Sequence, residues 1–340
     1  MRLVAQGLTR TSRAGRAPVD AVRRMVALQG QDLRAVLRAI AVRSAPGTTL
    51  AHVRAAFDQG HLVRTWVMRG TLFTTTPADL AVLLAATGER MLRQELRLCA
   101  DRGVDAAVID AARPVLLGAL AEGPQRRAAV LDAWERAGVG TDGGRGYHLL
   151  ALFAYEGLVR FGPFAGEEQL LVGGALPTVD DPDAALAELL ARWAAARGPV
   201  PLDDAAWWTG LPKSTVRRAL AGAAGVGGAS ASVGPVSVGG ETMLAAEGAH
   251  RVAASGALLV PAFDEWLLGY RDRSLVASPA MLDAVVPGRN GVFRALALVD
   301  GRVVGTWRVP GAGARELELI EPVPATRAAQ LGRALERWPH

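Results

Sequence analysis

The sequence predicts an α+β fold: helical units in tandem, each closed by a β-hairpin, running into a strand-rich C-terminal module. Two observations carry this. "FDQGHLVRTWVMRGTLFTT" (57–75) and "FAYEGLVRFGPFAGEEQLLV" (153–172) share a helix end, a glycine, Leu-Val-Arg and a strand–turn–strand, and Arg64 and Arg160 stand 96 residues apart. From Gly256 onward, short apolar strands replace amphipathic helices. At 340 residues the chain exceeds what one simple core organises, so two to four modules are expected.

The elements follow in order. Apolar positions recur with helical spacing over 19–28, 33–42 and 50–59 ahead of the first hairpin, and over 106–121, 125–137 and 147–156 ahead of the second. Three helices followed by a hairpin is the winged-helix plan, a helix-turn-helix with a wing. A third copy is less regular. "DPDAALAELLARWAAARGP" (181–199) reads as a helix closed by Gly198-Pro199; "LDDAAWWTGL" and "PKSTVRRALAGA" follow, where Pro212 suits a first turn. The Gly/Ser-rich "GVGGASASVGPVSVGG" (225–240) is then a wing or a mobile loop. Near the C-terminus, "ALLVPAF", "FRALALVDGRVVGTWRV" with an Asp300-Gly301 hairpin turn, and "ELELIEP" read as strands of a small β-barrel or sheet. A helix over 325–338 follows. The divisions expected are 1–90, 91–176, 177–254 and 255–340.

Half the residues are hydrophobic and 21% are charged, a globular rather than a disordered composition. No stretch reads as a membrane span, and "MRLVAQGLTRTSRAGR" lacks the apolar segment of a secretory signal, so a cytoplasmic location is expected. One cysteine, Cys99, excludes an internal disulfide and multi-cysteine metal sites, and the five histidines are scattered, so no metal is expected. Phosphate-loop and dinucleotide fingerprints are missing, as is a nucleophile elbow, which leaves nucleotide cofactors and small-molecule hydrolysis unsupported. Charge is uneven. Net charge is +5, yet residues 1–75 hold twelve arginines against Asp20, Asp32 and Asp58, a local surplus of nine. One basic end on a mildly acidic remainder is the footprint of a polyanion-binding face, and nucleic acid is the expected partner.

Several blocks resemble one family: "QGQD" (29–32), "VMRGTLFTT" (67–75), "GYHLLALFAYEGLVRFGP" (146–163), "RGPVPLDDAAWWTGL" (197–211), "PAFDEWLLGYRDRS" (261–274) and "NGVFRALALVDGRVVGTWR" (290–308). It is the bacterial winged-helix DNA glycosylase family that includes the azinomycin-resistance and interstrand-crosslink-unhooking enzymes. The blocks keep the same order over nearly the whole chain. The resemblance implies three tandem winged-helix modules in a C-shaped clamp plus a C-terminal β-barrel. It implies a monomeric, cofactor-free, monofunctional glycosylase acting on double-stranded DNA with alkylated purines. Bulky N7-alkylguanine or N3-alkyladenine lesions, or crosslinks, are the implied substrates, in repair or in self-resistance to a DNA-alkylating natural product. The family's catalytic motif, two glutamines around an aliphatic residue, falls on Gln29 and Gln31. Gly30 departs from the aliphatic middle, and Phe73 stands where many relatives carry histidine. The competing expectation is a non-enzymatic winged-helix protein, either a transcription regulator or a lesion-binding shield.

Residues two apart diverge by about 200° on a helix, whereas an extended or turn backbone puts both on one side. Gly30, after the apolar run 22–28, is expected as a left-handed helix stop, and Asp32 as the N-cap of the next helix, so that the pair converges in a helix–helix turn. Amides do not titrate and make poor general bases. Taken alone, two glutamines at a helix end satisfy exposed backbone. A cationic alkylpurine changes the requirement: it departs as a neutral base, and only a water must be held near C1′. Further candidates for DNA contact are Arg34 and Arg38 after the pair, Arg64, Trp66 and Arg69 on the first hairpin, and Lys213 and Arg217 at a helix start. Arg271 and Arg273 in "GYRDRS" either grip a phosphate or pair with Asp264 and Glu265, which are expected in a strand, facing opposite sides.

Overall fold

The computed structural model describes residues 1–223, 232–249, 255–288, 290–311 and 314–338. A short α1 (Arg2–Ala5) precedes α2 (Pro18–Met25), β1 (Ala27–Gln29), α3 (Leu33–Ala41), α4 (Leu50–Asp58), β2 (Val63–Val67) and β3 (Thr71–Thr75). Local chemistry sets the boundaries. Pro18 opens α2, Asp32 caps α3 by accepting from the Ala35 N–H at 2.9 Å, and Thr49 and His52 form a reciprocal capping box on α4. The helix expected over 19–28 ends early. Val26 takes φ +66°, α2 stops at Met25, and Ala27–Gln29 pairs with β3 from Thr75 to Phe73. Val26, Ala27 and Leu28 are all buried, and in a continuous buried run periodicity does not separate strand from helix.

A 24-residue helix, α5 (Pro77–Ala100), follows the first hairpin, capped by Thr76 with Pro77 at its start. Then come α6 (Ala106–Ala121), α7 (Arg127–Arg136), α8 (Arg145–Tyr155), β4 (Arg160–Ala165) and β5 (Glu168–Val172). The two helix–helix–helix–hairpin series thus stand where the repeat placed them. Their hairpins join in one sheet of order β1-β3-β2-β4-β5, with β2 and β4 meeting at Arg64 and Phe161. Pairing hairpin to hairpin covers two strand edges that water would otherwise have to satisfy.

The third unit holds α9 (Pro182–Arg197), α10 (Leu202–Thr209), α11 (Lys213–Ala223) and a two-stranded ribbon, β6 (Val233–Val238) with β7 (Glu241–Ala246). Residues 225–231 of the expected wing lie outside the described residues. The last part contains β8 (Ala257–Val260), α12 (Glu265–Leu268), α13 (Pro279–Val285), β9 (Ala295–Val299), β10 (Arg302–Gly311), β11 (Ala314–Leu319) and α14 (Ala325–Glu336). Asp300 and Gly301 both adopt positive φ, as a tight two-residue hairpin turn requires. Among the described residues this sheet, ordered β11-β10-β9-β8, is open rather than the barrel expected. Leu331, Leu335 and Trp338 pack on Ala297 and Trp307, so a helix, not closure, buries its apolar face. Among the described residues no helix is long and apolar enough to cross a membrane.

Candidate active site

Gln29 ends β1, and Gln31 follows two residues later just before α3. The helix–helix turn expected to bring them together is replaced by a strand end. Gly30 avoids the left-handed region, so its value is space rather than conformational freedom. A Cβ there would stand 3.2 Å from the Phe73 carbonyl carbon and the Thr74 nitrogen, and 3.3 Å from the Phe73 Cα. Those atoms are backbone of an interior strand and have little room to yield.

The peptide around Gly30 is fixed at three points. The Gln29 N–H donates to Glu265 Oε1 (3.1 Å), the Gly30 N–H to the Leu72 carbonyl (2.7 Å), and Arg64 Nε donates to the Gly30 carbonyl (2.6 Å). The two amides are held loosely by contrast. Gln29 meets Thr71 Oγ1 at 3.5 Å, and Gln31 Oε1 meets the Leu72 N–H at 3.5 Å, both at the outer limit of a hydrogen bond. They converge on adjacent residues at the start of β3 with lone pairs still to give. Gln29 is half-buried and Gln31 exposed. Such a pair can hold a small polar molecule but cannot take up a proton.

Asp264 and Glu265 correct the sequence expectation. They sit at the start of α12, where Asp264 accepts from the Trp266 N–H at 2.8 Å, and neither pairs with Arg271 or Arg273. Arg43 donates to both Asp264 oxygens at 2.7 Å, and Arg197 Nη2 donates to Glu265 Oε2 at 2.6 Å, an oxygen that also accepts from Trp208 Nε1 at 3.2 Å. All four charged side chains are fully buried, where an unpaired charge is prohibitive. Arg197 also donates to the Met25 and Ala27 carbonyls (2.9 and 3.2 Å). The ion pair therefore holds β1, carboxylate on the Gln29 N–H and guanidinium on the Ala27 carbonyl and on the Met25 carbonyl that precedes the strand. Gln6 ties the two pairs together, accepting from Arg43 (2.8 Å) and donating to the Tyr270 hydroxyl (3.1 Å), which itself donates to the Arg197 carbonyl (2.8 Å).

The DNA-contact candidates divide. Trp66 is 2% exposed, donates to the Tyr147 hydroxyl at 2.8 Å and packs on Phe161, so it belongs to the joint between hairpins. Arg64 is buried as well, bonded to Gly30 and to Gln169 Oε1 (3.1 Å); burial lowers its pKa to about 10, with Asp32 partly offsetting. Its hydrogen bonds run to the Gly30 backbone and the Gln169 side chain. Lys213 is exposed but paired with Asp203 at 2.6 Å; Arg217 and Arg271 are exposed. Arg34 is exposed and Arg38 half-buried. Both line a cleft of about 1010 Å³ between α3–α4 and the C-terminal sheet, together with Asp32, Arg54, Arg294 and Arg308; neither glutamine lines it. Arg69 and Arg273 are half-buried over the Trp207 indole, at 4.2 and 6.0 Å. Part of the basic surplus of residues 1–75 is thus structural, because Arg2, Arg43 and Arg64 are buried.

The sequence reading did not single out Arg197, Thr71 or Trp207, and it misassigned Glu265. One signal was present. Two adjacent acids inside the apolar block "PAFDEWLLGY" imply burial, and burial implies partners. In the second unit His148 and Glu95 meet at 2.5 Å, burial being the main cause that raises the Glu95 pKa. Burial first and Glu95 second push the Cys99 thiol up to about 11, which makes it a poor nucleophile. No group of three or more metal-ligating acids, histidines or cysteines occurs among the described residues.

The structure resembles that of the Streptomyces sahachiroi DNA glycosylase AlkZ, with a TM-score of 0.78 over 99% of this chain and 96% of that one, at 22% sequence identity. That likeness shows a shared fold. No curated protein matches the sequence. A family model described as DNA glycosylase AlkZ-like matches residues 22–340, a span that takes in the glutamine pair, the arginines that fix it and the buried acids. The chain belongs to the AlkZ-like DNA glycosylase family.

Proposed function

We propose that this DNA glycosylase excises cationic alkylpurines, N7-alkylguanine foremost and N3-alkyladenine second, from double-stranded DNA, with Gln29 and Gln31 holding the hydrolytic water. The observation that supports this is the convergence of two loosely tied amides at the start of β3, on a peptide fixed by Glu265, Leu72 and Arg64. Rigid backbone with uncommitted side-chain oxygens is the arrangement that positions a nucleophile without consuming it.

The reaction requires little else. As the C1′–N9 bond breaks, its electron pair passes to the base and cancels the positive charge that alkylation placed there. The purine departs neutral, so no acid must protonate it. Gln29 and Gln31 accept hydrogen bonds from a water whose oxygen bonds to C1′, and the proton released goes to bulk solvent. Their carbonyl dipoles offer partial negative charge to the oxocarbenium-like transition state. Unhooking a crosslink is the same reaction at one of two linked bases. The helix–helix–helix–hairpin units act as winged-helix modules that clamp the duplex as a monomer, in repair or in protection from a DNA-alkylating natural product.

The test is single-turnover release of N7-methylguanine from alkylated duplex. Gln29→Ala and Gln31→Ala should each slow release on the order of a hundredfold, the loss typical of a misplaced nucleophile, while DNA affinity persists. Unchanged rates in both variants would remove the assignment.

A further inference from the structure

We propose that Arg69 and Arg273, stacked over the shared indole of Trp207, form a seat for a backbone phosphate of the damaged strand, beside the glutamine pair. The proposal rests on the reading that this face meets DNA and gives it a named contact.

Arg69 lies in the turn between β2 and β3, flanked by Met68 and Gly70 at positive φ. Its guanidinium stands 5.7 Å from the Phe73 ring and 4.2 Å from the Trp207 ring. Phe73 is the register partner of Gln29, so Arg69 is one side chain away from the proposed catalytic strand. Arg273 comes from the segment after α12. It lies 6.0 Å from Trp207 and 5.2 Å from Phe293, and its Nε donates to the Leu267 carbonyl at 2.9 Å. The two guanidinium carbons are therefore no more than about 10 Å apart. Three separate parts of the chain deliver this cluster to one place.

Its charge is unbalanced. Neither arginine has a carboxylate partner among the described residues, in contrast to the pairs of Arg43, Arg192 and Arg197. Neither of the two acids that act on Arg69 and Arg273 electrostatically bonds either guanidinium. Glu265 serves Arg197, Trp208 and the Gln29 N–H, and Asp204 accepts from the Arg271 N–H at 3.0 Å. Burial lowers the pKa of Arg69, and Arg273 and Arg197 lower it further against the opposing effect of Glu265; burial lowers that of Arg273 too, with Asp204 opposing. Two crowded cations without a counter-ion are stabilised by an incoming anion. A guanidinium lying on an aromatic face keeps its N–H donors in its own plane, directed past the ring, in the fork that fits phosphate oxygens. A nucleotide's own phosphates lie one sugar away from its C1′, and this seat lies one side chain away from Gln29.

The experiment measures binding of the whole protein to a duplex carrying a tetrahydrofuran abasic analogue, across a salt series. Arg69→Ala and Arg273→Ala should each weaken binding about tenfold, and together reduce the slope of log affinity against log salt by about one, the signature of one lost phosphate contact. Arg69→Lys and Arg273→Lys should keep the slope while losing part of the affinity, because the ammonium keeps the charge but not the fork. Arg333→Ala removes an exposed arginine of α14, outside the helix–hairpin units, and should leave the slope at the wild-type value. The seat is refuted if the alanine variants bind with wild-type affinity and slope, or if Arg333→Ala lowers the slope as much as they do. A protein that binds with this arginine-dependent slope yet releases no alkylpurine keeps the seat and loses the glycosidic mechanism.

Discussion

Replacing Glu265 by glutamine tests whether a buried ion pair holds the proposed catalytic strand. The carboxylate has three donors to satisfy: the Gln29 N–H on Oε1, and Arg197 Nη2 and Trp208 Nε1 on Oε2. An amide cannot serve them all. With its oxygen toward Gln29, its NH₂ group faces two donors; turned over, it presents NH₂ to the Gln29 N–H. Either way a buried donor is orphaned, and Arg197 loses its counter-ion at zero exposure. Breaking such a pair costs about 3–5 kcal/mol, a large share of the roughly 5–15 kcal/mol that holds a typical protein folded.

Urea denaturation should show that loss as a lowered midpoint at unchanged slope. Single-turnover release by the folded variant should fall on the order of 10- to 100-fold, because β1 loses its link at Gln29. Asp264→Asn is the matched control. It strips Arg43 of its partner at the same burial, yet Asp264 has no bond to β1. Its stability loss should match, and its release rate per folded molecule should fall less. If Glu265→Gln loses under about 1 kcal/mol, the ion pair does not hold the fold together. If the two variants lose activity equally, the bond to Gln29 does not matter.

Three further outcomes follow from the geometry. Release of N7-methylguanine should be flat with pH across the neutral range, since neither amide titrates; a bell-shaped profile would reveal an acid or base that the glutamine mechanism lacks. Gly30→Ala should lower stability by roughly 1–3 kcal/mol in a thermal or urea melt, because its Cβ meets Phe73 and Thr74 backbone at 3.2–3.3 Å. The raised Glu95 pKa stabilises the fold below the carboxyl's unfolded value and ceases to do so as pH rises through its folded value, so the stability of Glu95→Gln relative to wild type should improve with pH over that window.

Legibility in the sequence followed the range of the interactions. The repeated hairpins, the α3 boundary at Asp32 and the Asp300-Gly301 turn were readable because caps, turns and periodicity are local. The strand β1 was not, because its partner lies more than forty residues away and its apolar run suits a helix equally well. The same holds for Asp264 and Glu265, whose arginines are 221 and 68 residues distant; nothing local distinguishes them from surface acids except their apolar neighbours. Trp66 and Arg64, expected as DNA contacts on the first hairpin, lie within β2, and nothing local in the sequence shows that the two hairpins pair edge to edge. Once β2 pairs with β4, both are enclosed. The Gln29–Gln31 pair was legible as residues, but the strand end that joins them was not.

On the proposed mechanism, the charge arrangement explains why such a site would spare intact DNA. Glu265, the carboxylate bonded to the Gln29 N–H, points its second oxygen into Arg197, so its charge is compensated and the pair itself offers the transition state amide dipoles. Asp32 is spent in part on the Ala35 N–H. An unmodified purine would have to leave as an anion or be protonated by an acid, and the pair offers neither help. The lesion's own positive charge does that work instead. Selectivity then resides in the leaving group, which frees the arginines over Trp207 to grip any duplex without risk to undamaged bases. A site of this kind can bind DNA broadly and still cut only where alkylation has already weakened the glycosidic bond.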